Sequence, residues 1–346
     1  MGETATAAPD QGPHPSEKLL QVGMGFIATS MLHAVTKLRI PELLKDGPRN
    51  VAGLAKSTST NEDALYRGMR ALASLGVFAE TAPRTLSQTP ASEYLLADKL
   101  GSLRGMVIWM GNRFHFQTHC EMLHSLKTGD TVTEKVFGVP CFDYFSQDEE
   151  TGREFHAAMT SFSKVVAPTA LAAYDFSWVG SGTLVDIGGG HGMLLCEILR
   201  KYPEIRGVLF DLEQVIPGAA QRFESMGLSS RCRGASGDFF LEVPAGDAYL
   251  MKHIIHDWND GKATTILKNI HRASPRTARV ILLESVLLPG NAFQMAKWLD
   301  IEMLLLPGGK ERTEEEYRSL FAGAGFRLTQ IVPTRSPLSV IEAVKA

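Results

Sequence analysis

The sequence has few cysteines, and they are scattered along the chain. Cys120, Cys141, Cys196 and Cys232 form no Cys-x-x-Cys pair within 346 residues. A zinc site built from thiolates and a disulfide framework are therefore both unexpected. Long apolar runs are absent too, because charges or glycines interrupt each one before the roughly 20 residues of a membrane span. These absences predict reduced cysteines in a cytoplasmic protein with no membrane partner.

An excess of charge of either sign is also lacking. The formal net charge is −3, which gives no electrostatic reason to expect a nucleic-acid partner. The N-terminus has no basic stretch followed by an apolar one, so we predict a disordered leader over residues 1–15 and no secretion signal. The hydrophobic content of 44% is ample for two domains of roughly 100–200 residues each.

The N-terminal part predicts helices and a small hairpin. One helical face runs from Ser16 to Leu38, with apolar residues three or four positions apart. Residues 51–90 then predict a short helix, a second helix and a hairpin, which is a winged-helix arrangement. The apolar positions are Leu20, Met24, Ile27, Met31, Val35 and Leu38 in the first helix, and Leu65, Met69, Leu72 and Leu75 on one side of the later one.

A winged helix raises the alternative of a ligand-responsive DNA-binding regulator. Its second helix carries Arg67 and Arg70 but begins with Glu62 and Asp63, where DNA phosphates would approach. Affinity for DNA backbone comes from clustered Lys and Arg, which this helix lacks. The charges favour a packing module. Residues 91–165 predict further helices, whose histidines have no metal-ligand spacing with carboxylates, so no metal is expected.

From about residue 181 the pattern changes to short, continuously apolar strands separated by helices. Such strands are typical of a parallel α/β sheet buried on both faces. The first strand ends in "VDIGGGHG", where Asp186 precedes Gly188 and Gly190. A dinucleotide fingerprint requires a third glycine at position 193, which is Met193. The acidic residue instead favours a cationic ligand without phosphate, and S-adenosylmethionine fits that description.

Acidic residues also follow the next two strands. Asp211 and Leu212 close "RGVLFDL", where a doubly wound sheet places the acid that binds ribose hydroxyls. Asp238 and Phe239 in "SGDFF" are suited to an adenine amino group and ring face. Three acids at successive strand ends predict an S-adenosylmethionine site more strongly than one glycine-rich loop does.

These motifs resemble one family. "LVDIGGGHG", "GVLFDL", "GDFF", "LMKHIIHDWND", "LLESVLLP" and "LPGGKERTEEEYRSLFAGAGF" are similar to the S-adenosylmethionine-dependent O-methyltransferases of the caffeic acid/hydroxyindole type. The resemblance implies a winged-helix dimerisation domain over residues 16–105. It further implies a helical linker and Rossmann-like catalytic domain over 106–346. A homodimer that methylates a small phenolic or polyketide-like acceptor, without a metal, is the expected protein.

The resemblance also assigns the reaction centre. His256 of "HDW" matches the family's general base, with Glu284 and Glu311 as its candidate carboxylate partners. A phenol near pKa 10 and an ordinary histidine near 6.5 differ by about 5 kcal/mol in proton affinity. That cost is too large for prior ionisation but acceptable if the proton leaves as the methyl bond forms. We expect His253 to point to the opposite side of the strand from His256.

Further positions follow from the same likeness. Lys252 and Ser163 match residues that contact the cofactor, while Met159, Met303 and Asp257 match the acceptor side. Methionine is also ordinary core filler, and Asp257 has the alternative of capping the following helix. Leu304, Leu305 and Leu306 replace a more polar stretch of the plant enzymes, which favours a larger or more apolar acceptor. Besides the regulator, a relative with diverged, non-methylating chemistry remains an alternative.

Overall fold

The computed structural model describes residues 14–346, so all but the last two residues of the predicted leader lie outside the described residues. The chain divides into two compact units. The first contains the residues up to Lys99 together with Met110–Asn112, and the second contains Leu100–Trp109 and Arg113–Ala346. The domain boundary between residues 105 and 106 stays a prediction.

The first unit is helical and carries a small sheet with strand order β1-β3-β2. Asn61 begins α5 by accepting a hydrogen bond from the backbone N–H of Ala64 through its side chain, a standard N-cap. Met69 and Phe78 lie in the core. The elements are α1 Pro15–Gly23, α2 Gly25–Lys37, α3 Ile40–Leu44, β1 Arg49–Asn50, α4 Val51–Thr58, α5 Glu62–Ser74, β2 Phe78–Ala82, β3 Thr85–Gln88 and a 3-10 turn Ser92–Leu95.

Two predictions for this unit are wrong. The single helix from Ser16 to Leu38 is two helices, bent by 42° at Met24. Gly23 and Gly25 flank the break, and glycine is a poor helix former. Leu75 is not on the buried side of α5, because it follows the end of that helix and is 63% exposed.

The second unit is built on a seven-stranded sheet of order β11-β12-β8-β7-β4-β5-β6. Its strands are β4 Thr183–Ile187, β5 Arg206–Asp211, β6 Cys232–Ser236, β7 Ala248–Lys252, β8 Arg279–Glu284, β11 Phe326–Pro333 and β12 Ser339–Lys345, with β9 Val286–Leu287 and β10 Arg312–Thr313 paired separately. Its helices are α6 Arg104–Met110, α7 Arg113–His119, α8 Met122–Thr128, α9 Thr133–Phe137, α10 Cys141–Gln147, α11 Glu149–Ala173, α12 Met193–Lys201, α13 Ile216–Ser225, α14 Asp260–Ala273, α15 Met295–Leu305 and α16 Glu314–Gly323.

The sheet is buried on both faces, as the apolar strands predict. Leu184 packs into one core cluster and its neighbour Val185 into the other, because successive side chains of a strand point to opposite faces. Strands β4 to β8 pair in parallel, and β12 pairs antiparallel with both β8 and β11. The chain order reverses beside β4, where β5 lies on one side and β7 on the other. A doubly wound sheet binds ligands at the carboxyl ends of the strands at such a switch point.

Among the described residues, no single helix is long and apolar enough to cross a membrane. The bent pair α1–α2 reaches that threshold by length and composition only.

Candidate active site

A cavity of about 750 Å³ opens at the carboxyl ends of the central strands of the second unit. Most of the predicted site residues line it. They are Met159, Ser163, Asp186, Gly188, Gly190, Asp211, Leu212, Asp238, Phe239, Lys252 and Asp257. His256, Glu284, Glu311 and Met303 are not among its lining residues.

The glycine-rich loop after β4 is shaped by left-handed backbone. Gly190 has φ 57°, and its N–H donates to Asp211 Oδ2 at 2.8 Å. Gly188 has φ 65°, and a Cβ added there would overlap the side chain of Ile254. The backbone conformation favours glycine at both positions, and the overlap with Ile254 adds a steric reason at Gly188. The hydrogen bond from Gly190 joins the loop after β4 to the end of β5. It holds Asp211 beside the start of α12.

Asp186 is the most deeply buried acid of the cavity, at 2% exposure. Burial raises its pKa to about 7, and the nearby Lys252 opposes that shift. Burial in turn lowers the pKa of Lys252. A carboxyl group whose charge is disfavoured by burial gains most from a cationic ligand, which would favour its ionised form.

Asp211 is held by the backbone on both of its oxygens. Besides Gly190, the N–H of Leu212 donates to Oδ1 at 2.7 Å. Burial raises the pKa of Asp211, while these two N–H groups lower it. A carboxylate has about four acceptor positions, so two donors leave room for ligand hydroxyls. Asp238 lies at the exposed end of the cavity, where its Oδ1 accepts from Phe240 N at 2.8 Å.

His256 lies in a 3-10 turn, Ile255–Asp257, and not in the strand, because β7 already ends at Lys252. The residue is 3% exposed. Its Nδ1 is 2.6 Å from Glu311 Oε1, and its Nε2 is 3.4 Å from Asp257 Oδ1. The imidazole thus lies between two carboxyl groups.

The two predicted carboxylate partners act differently. Glu311 contacts the ring directly, and burial, aided by Asp300, raises its pKa to about 8. Glu284 is fully buried, and its Oε1 accepts hydrogen bonds from the N–H groups of Ile254 and Ile255, both at 3.0 Å. Glu284 Oε2 is 3.8 Å from His256 Nδ1. Glu311 therefore pairs with the imidazole, and Glu284 mainly fixes the backbone of its turn.

The prediction that His253 points away from His256 is wrong. His253 has φ 54°, a left-handed conformation that a regular strand does not contain. This backbone brings its ring beside that of His256, with 4.4 Å between centroids, and against Phe162 on the other side at 5.1 Å. His253 also lines the cavity.

Sequence reasoning missed Arg312, which is fully buried. Its guanidinium donates to the carbonyl of Ile255 at 3.0 Å, to that of Trp258 at 2.8 Å, and to Asp260 Oδ1 at 2.9 Å. These partners flank the His256 turn on both sides. The position of Arg312 directly after Glu311 was the only signal in the sequence.

Aromatic rings form part of the cavity wall. Phe142, Phe155 and Trp258 line it, together with Met159. The rings of Phe142 and Trp258 are 5.8 Å apart. Met303 has 8% exposure and accepts, through its carbonyl, the N–H groups of the Gly308–Gly309 turn.

Two further predicted residues, Ser163 and Asp257, also line the cavity, and so do two histidines. Ser163 donates to the carbonyl of Met159 at 2.8 Å. Burial raises the pKa of Asp257 to about 7, and His256 opposes that shift. His156 and His191, which sequence reasoning also missed, line the cavity with 5.5 Å between ring centroids.

The chain is similar in sequence to proteins of one known family. Residues 120–327 match the O-methyltransferase domain, and residues 20–98 match the O-methyltransferase dimerisation domain. The chain is 40% identical to a phenazine O-methyltransferase of Lysobacter antibioticus, over 95% of this chain and 96% of that protein. It is 36% identical to the O-demethylpuromycin-O-methyltransferase of Streptomyces alboniger, over 94% and 88%.

A solved structure agrees with these matches. An O-methyltransferase from neocarzinostatin biosynthesis, in complex with S-adenosylmethionine and 2-hydroxy-5-methyl naphthoic acid, superposes with a TM-score of 0.77 at 26% identity, covering 92% of this chain and 96% of that one. The protein therefore belongs to the S-adenosylmethionine-dependent O-methyltransferases that carry an N-terminal dimerisation domain.

Proposed function

We propose that the protein methylates a hydroxyl group of a small, flat aromatic metabolite, phenolic or polyketide-like, with His256 as the general base. One observation carries the proposal: the same cavity is lined by acids and by aromatic rings, and His256, which is paired with Glu311, lies in the turn that follows β7. The acids suit a cationic methyl donor, and the aromatic rings suit a planar acceptor.

The acidic residues that line the cavity fit S-adenosylmethionine. In this proposal Asp186 pairs with the ammonium or sulfonium charge, Asp211 accepts hydrogen bonds from two ribose hydroxyls, and Asp238 and Phe239 contact the adenine. Lys252 lines the same cavity. When bound, the cofactor supplies an electrophilic methyl group on a sulfonium. Met193 occupies the position of the third glycine of a dinucleotide fingerprint, and the acidic Asp186 lies at the end of β4, which together argue against a dinucleotide.

The base must take a proton from the acceptor hydroxyl as the new bond forms. Neutral imidazole is suited to that step, because it can accept a proton on a ring nitrogen. The Glu311 carboxyl at 2.6 Å stabilises the imidazolium that results and fixes the ring orientation. Glu284 positions the same ring through the Ile254 and Ile255 amides.

The acceptor class follows from the walls of the cavity and from the relatives. Phe142, Phe155, Met159 and Trp258 form a surface on which an aromatic ring stacks or packs edge-on. A related enzyme binds 2-hydroxy-5-methyl naphthoic acid, and others are named for phenazine and puromycin-type acceptors. A fused or substituted aromatic with one free hydroxyl is the substrate class we propose.

We also propose that the protein is a homodimer formed through the first unit. Leu20 on α1, Met24 at the break, and Phe26 and Ile27 on α2 are 52–65% exposed. Contiguous exposed apolar side chains mark interaction surfaces. They lie within or next to the part of the chain that matches the dimerisation domain, so a second copy of the chain is the partner proposed here.

The test is methyl transfer from donor labelled with ¹³C at the methyl group to a panel of phenols, hydroxyphenazines and naphthoic acids, read by mass spectrometry. We expect label in an O-methylated product with wild type, and with a control His124→Ala variant on α8. His256→Ala should lose most of the rate. Equal rates in His256→Ala and wild type would overturn the base assignment, and an unlabelled product that has lost carbon dioxide would indicate diverged chemistry.

A further inference from the structure

Three side chains near the ends of β7 and β8 bring metal-ligating atoms together. One ring nitrogen of His253, one of His256 and one carboxylate oxygen of Glu284 lie within 4.8 Å of one another. Within residues 14–346 this is the only such group of three His, Cys, Asp or Glu side chains. The methyl-transfer mechanism has no use for the His253 nitrogens.

Two atoms of this cluster are buried and unpaired. His253 Nε2 and Glu284 Oε2 have no hydrogen-bond partner. Glu284 is fully buried, and its unpaired oxygen faces the His256 ring, 3.8 Å from Nδ1. A buried polar atom without a partner is costly, and a neutral imidazole nitrogen beside a carboxylate oxygen is satisfied by a cation.

The backbone holds the cluster in place. His253 takes its left-handed conformation, φ 54°, at the turn after β7, and Phe162 stacks on the outer face of its ring. Glu284 is anchored by two backbone N–H groups through its other oxygen. Glu311, 2.6 Å from His256 Nδ1, is the kind of outer carboxylate that orients a ligating histidine, so His256 would bind the ion through Nε2.

We infer that His253, His256 and Glu284 bind a divalent transition-metal ion of the zinc type, and that this ion inhibits methyl transfer by occupying His256. Two imidazoles and one carboxylate are the protein ligands of three-ligand zinc sites, whose fourth position stays open. Mg²⁺ and Ca²⁺ prefer oxygen ligands throughout. His253 lines the cavity, which gives the ion a route of entry. The ligand atoms must draw together by side-chain movement to reach metal–ligand distances of about 2.0–2.2 Å.

Metal binding itself does not depend on the proposed function, but the inhibition rests on His256 acting as the base. The two parts are therefore measured separately. Equilibrium dialysis of the untagged, chelator-treated full chain against Zn²⁺ measures binding without any substrate. The visible absorption of Co²⁺ in the same site reports the number and type of its ligands. Activity with and without Zn²⁺ is then measured on the same preparations.

Wild type should bind one Zn²⁺ per chain. The His253→Phe variant keeps the ring between Phe162 and His256 but removes both nitrogens. Losing a ligand should weaken binding by more than the roughly 10–100-fold that loss of an outer partner costs. The control variant His124→Phe should bind as wild type does. Thermal unfolding and S-adenosylhomocysteine binding check that each variant is folded.

The possible results test the metal site and the role of His256 separately. No Zn²⁺ binding by wild type, or equal binding by wild type and His253→Phe, would overturn the metal site and leave the base assignment standing. Binding that is lost in His253→Phe, with wild-type activity abolished by Zn²⁺ and restored by chelator, supports both parts. Binding that is lost in His253→Phe without any inhibition of wild type would support the site and overturn the role of His256.

Discussion

Replacing Arg312 by lysine should destabilise the His256 turn more than any other conservative change of an arginine in this unit. The guanidinium is fully buried and donates to two backbone carbonyls and to Asp260. An ammonium group has three donors at one point and does not reach all of these acceptors. At least two charged hydrogen bonds are lost, at roughly 1.5–3 kcal/mol each, so the free energy of unfolding should fall by about 3–6 kcal/mol.

The same change should reduce the rate. The two carbonyls belong to Ile255 and Trp258, on either side of His256, so the imidazole loses its fixed position. A displacement of about 1 Å at a reacting group costs about 10²-fold in rate. Urea unfolding gives the stability, and steady-state kinetics under stabilising conditions gives kcat.

The matched control is Arg318→Lys on α16. Arg318 is exposed and pairs with Glu314 at 2.7 Å on the helix surface, where an ion pair contributes at most about 1 kcal/mol. Its variant should therefore match wild type in stability and kcat. If Arg312→Lys stays within about 1 kcal/mol of wild type and keeps its kcat, the reasoning about the turn is refuted.

Three further predictions concern the reaction, the cofactor and the dimer. His256→Ala should lower kcat by about 10²–10⁴-fold with S-adenosylmethionine affinity unchanged, and Glu311→Gln should fall between it and wild type; a loss of cofactor affinity by calorimetry would contradict this. Because Asp186, with a pKa near 7, must ionise to hold a cation, protons are released on binding. Calorimetric affinity should thus fall about tenfold from about pH 8 to pH 6, and a constant affinity would oppose this role. Phe26→Glu should convert a dimer to a monomer in sedimentation at micromolar concentration while Lys18→Glu does not, and a dimeric Phe26→Glu would rule out this surface.

The cofactor end of the site was predictable because topology alone assembles it. Asp186 and Asp211 lie at the carboxyl ends of the buried strands β4 and β5, and Asp238 lies two residues after the partly exposed β6. Parallel strands bring their carboxyl ends to one edge of the sheet. Strand patterns and acid positions can both be seen in the sequence. The fold class and the family were therefore predicted correctly without coordinates.

The details of the reaction centre could not be predicted, because tertiary contacts set them. A histidine gives no sign in the sequence that its backbone will be left-handed, as it is at His253. This conformation turns the His253 ring to the same side as the ring of His256. Burial of Arg312 depends on carbonyls contributed by a turn more than fifty residues earlier in the chain. Gly23 and Gly25 flank the helix break at Met24. The spacing of apolar residues continues across this break, so that spacing alone predicted one helix.

The most direct test of the account is calorimetry of the purified chain with S-adenosylhomocysteine and, separately, with NAD and FAD. The carboxylate-lined cavity predicts one site per chain for S-adenosylhomocysteine, weakened at least about tenfold in Asp211→Asn, and no heat with either dinucleotide. Binding of a dinucleotide without any binding of S-adenosylhomocysteine would contradict the account.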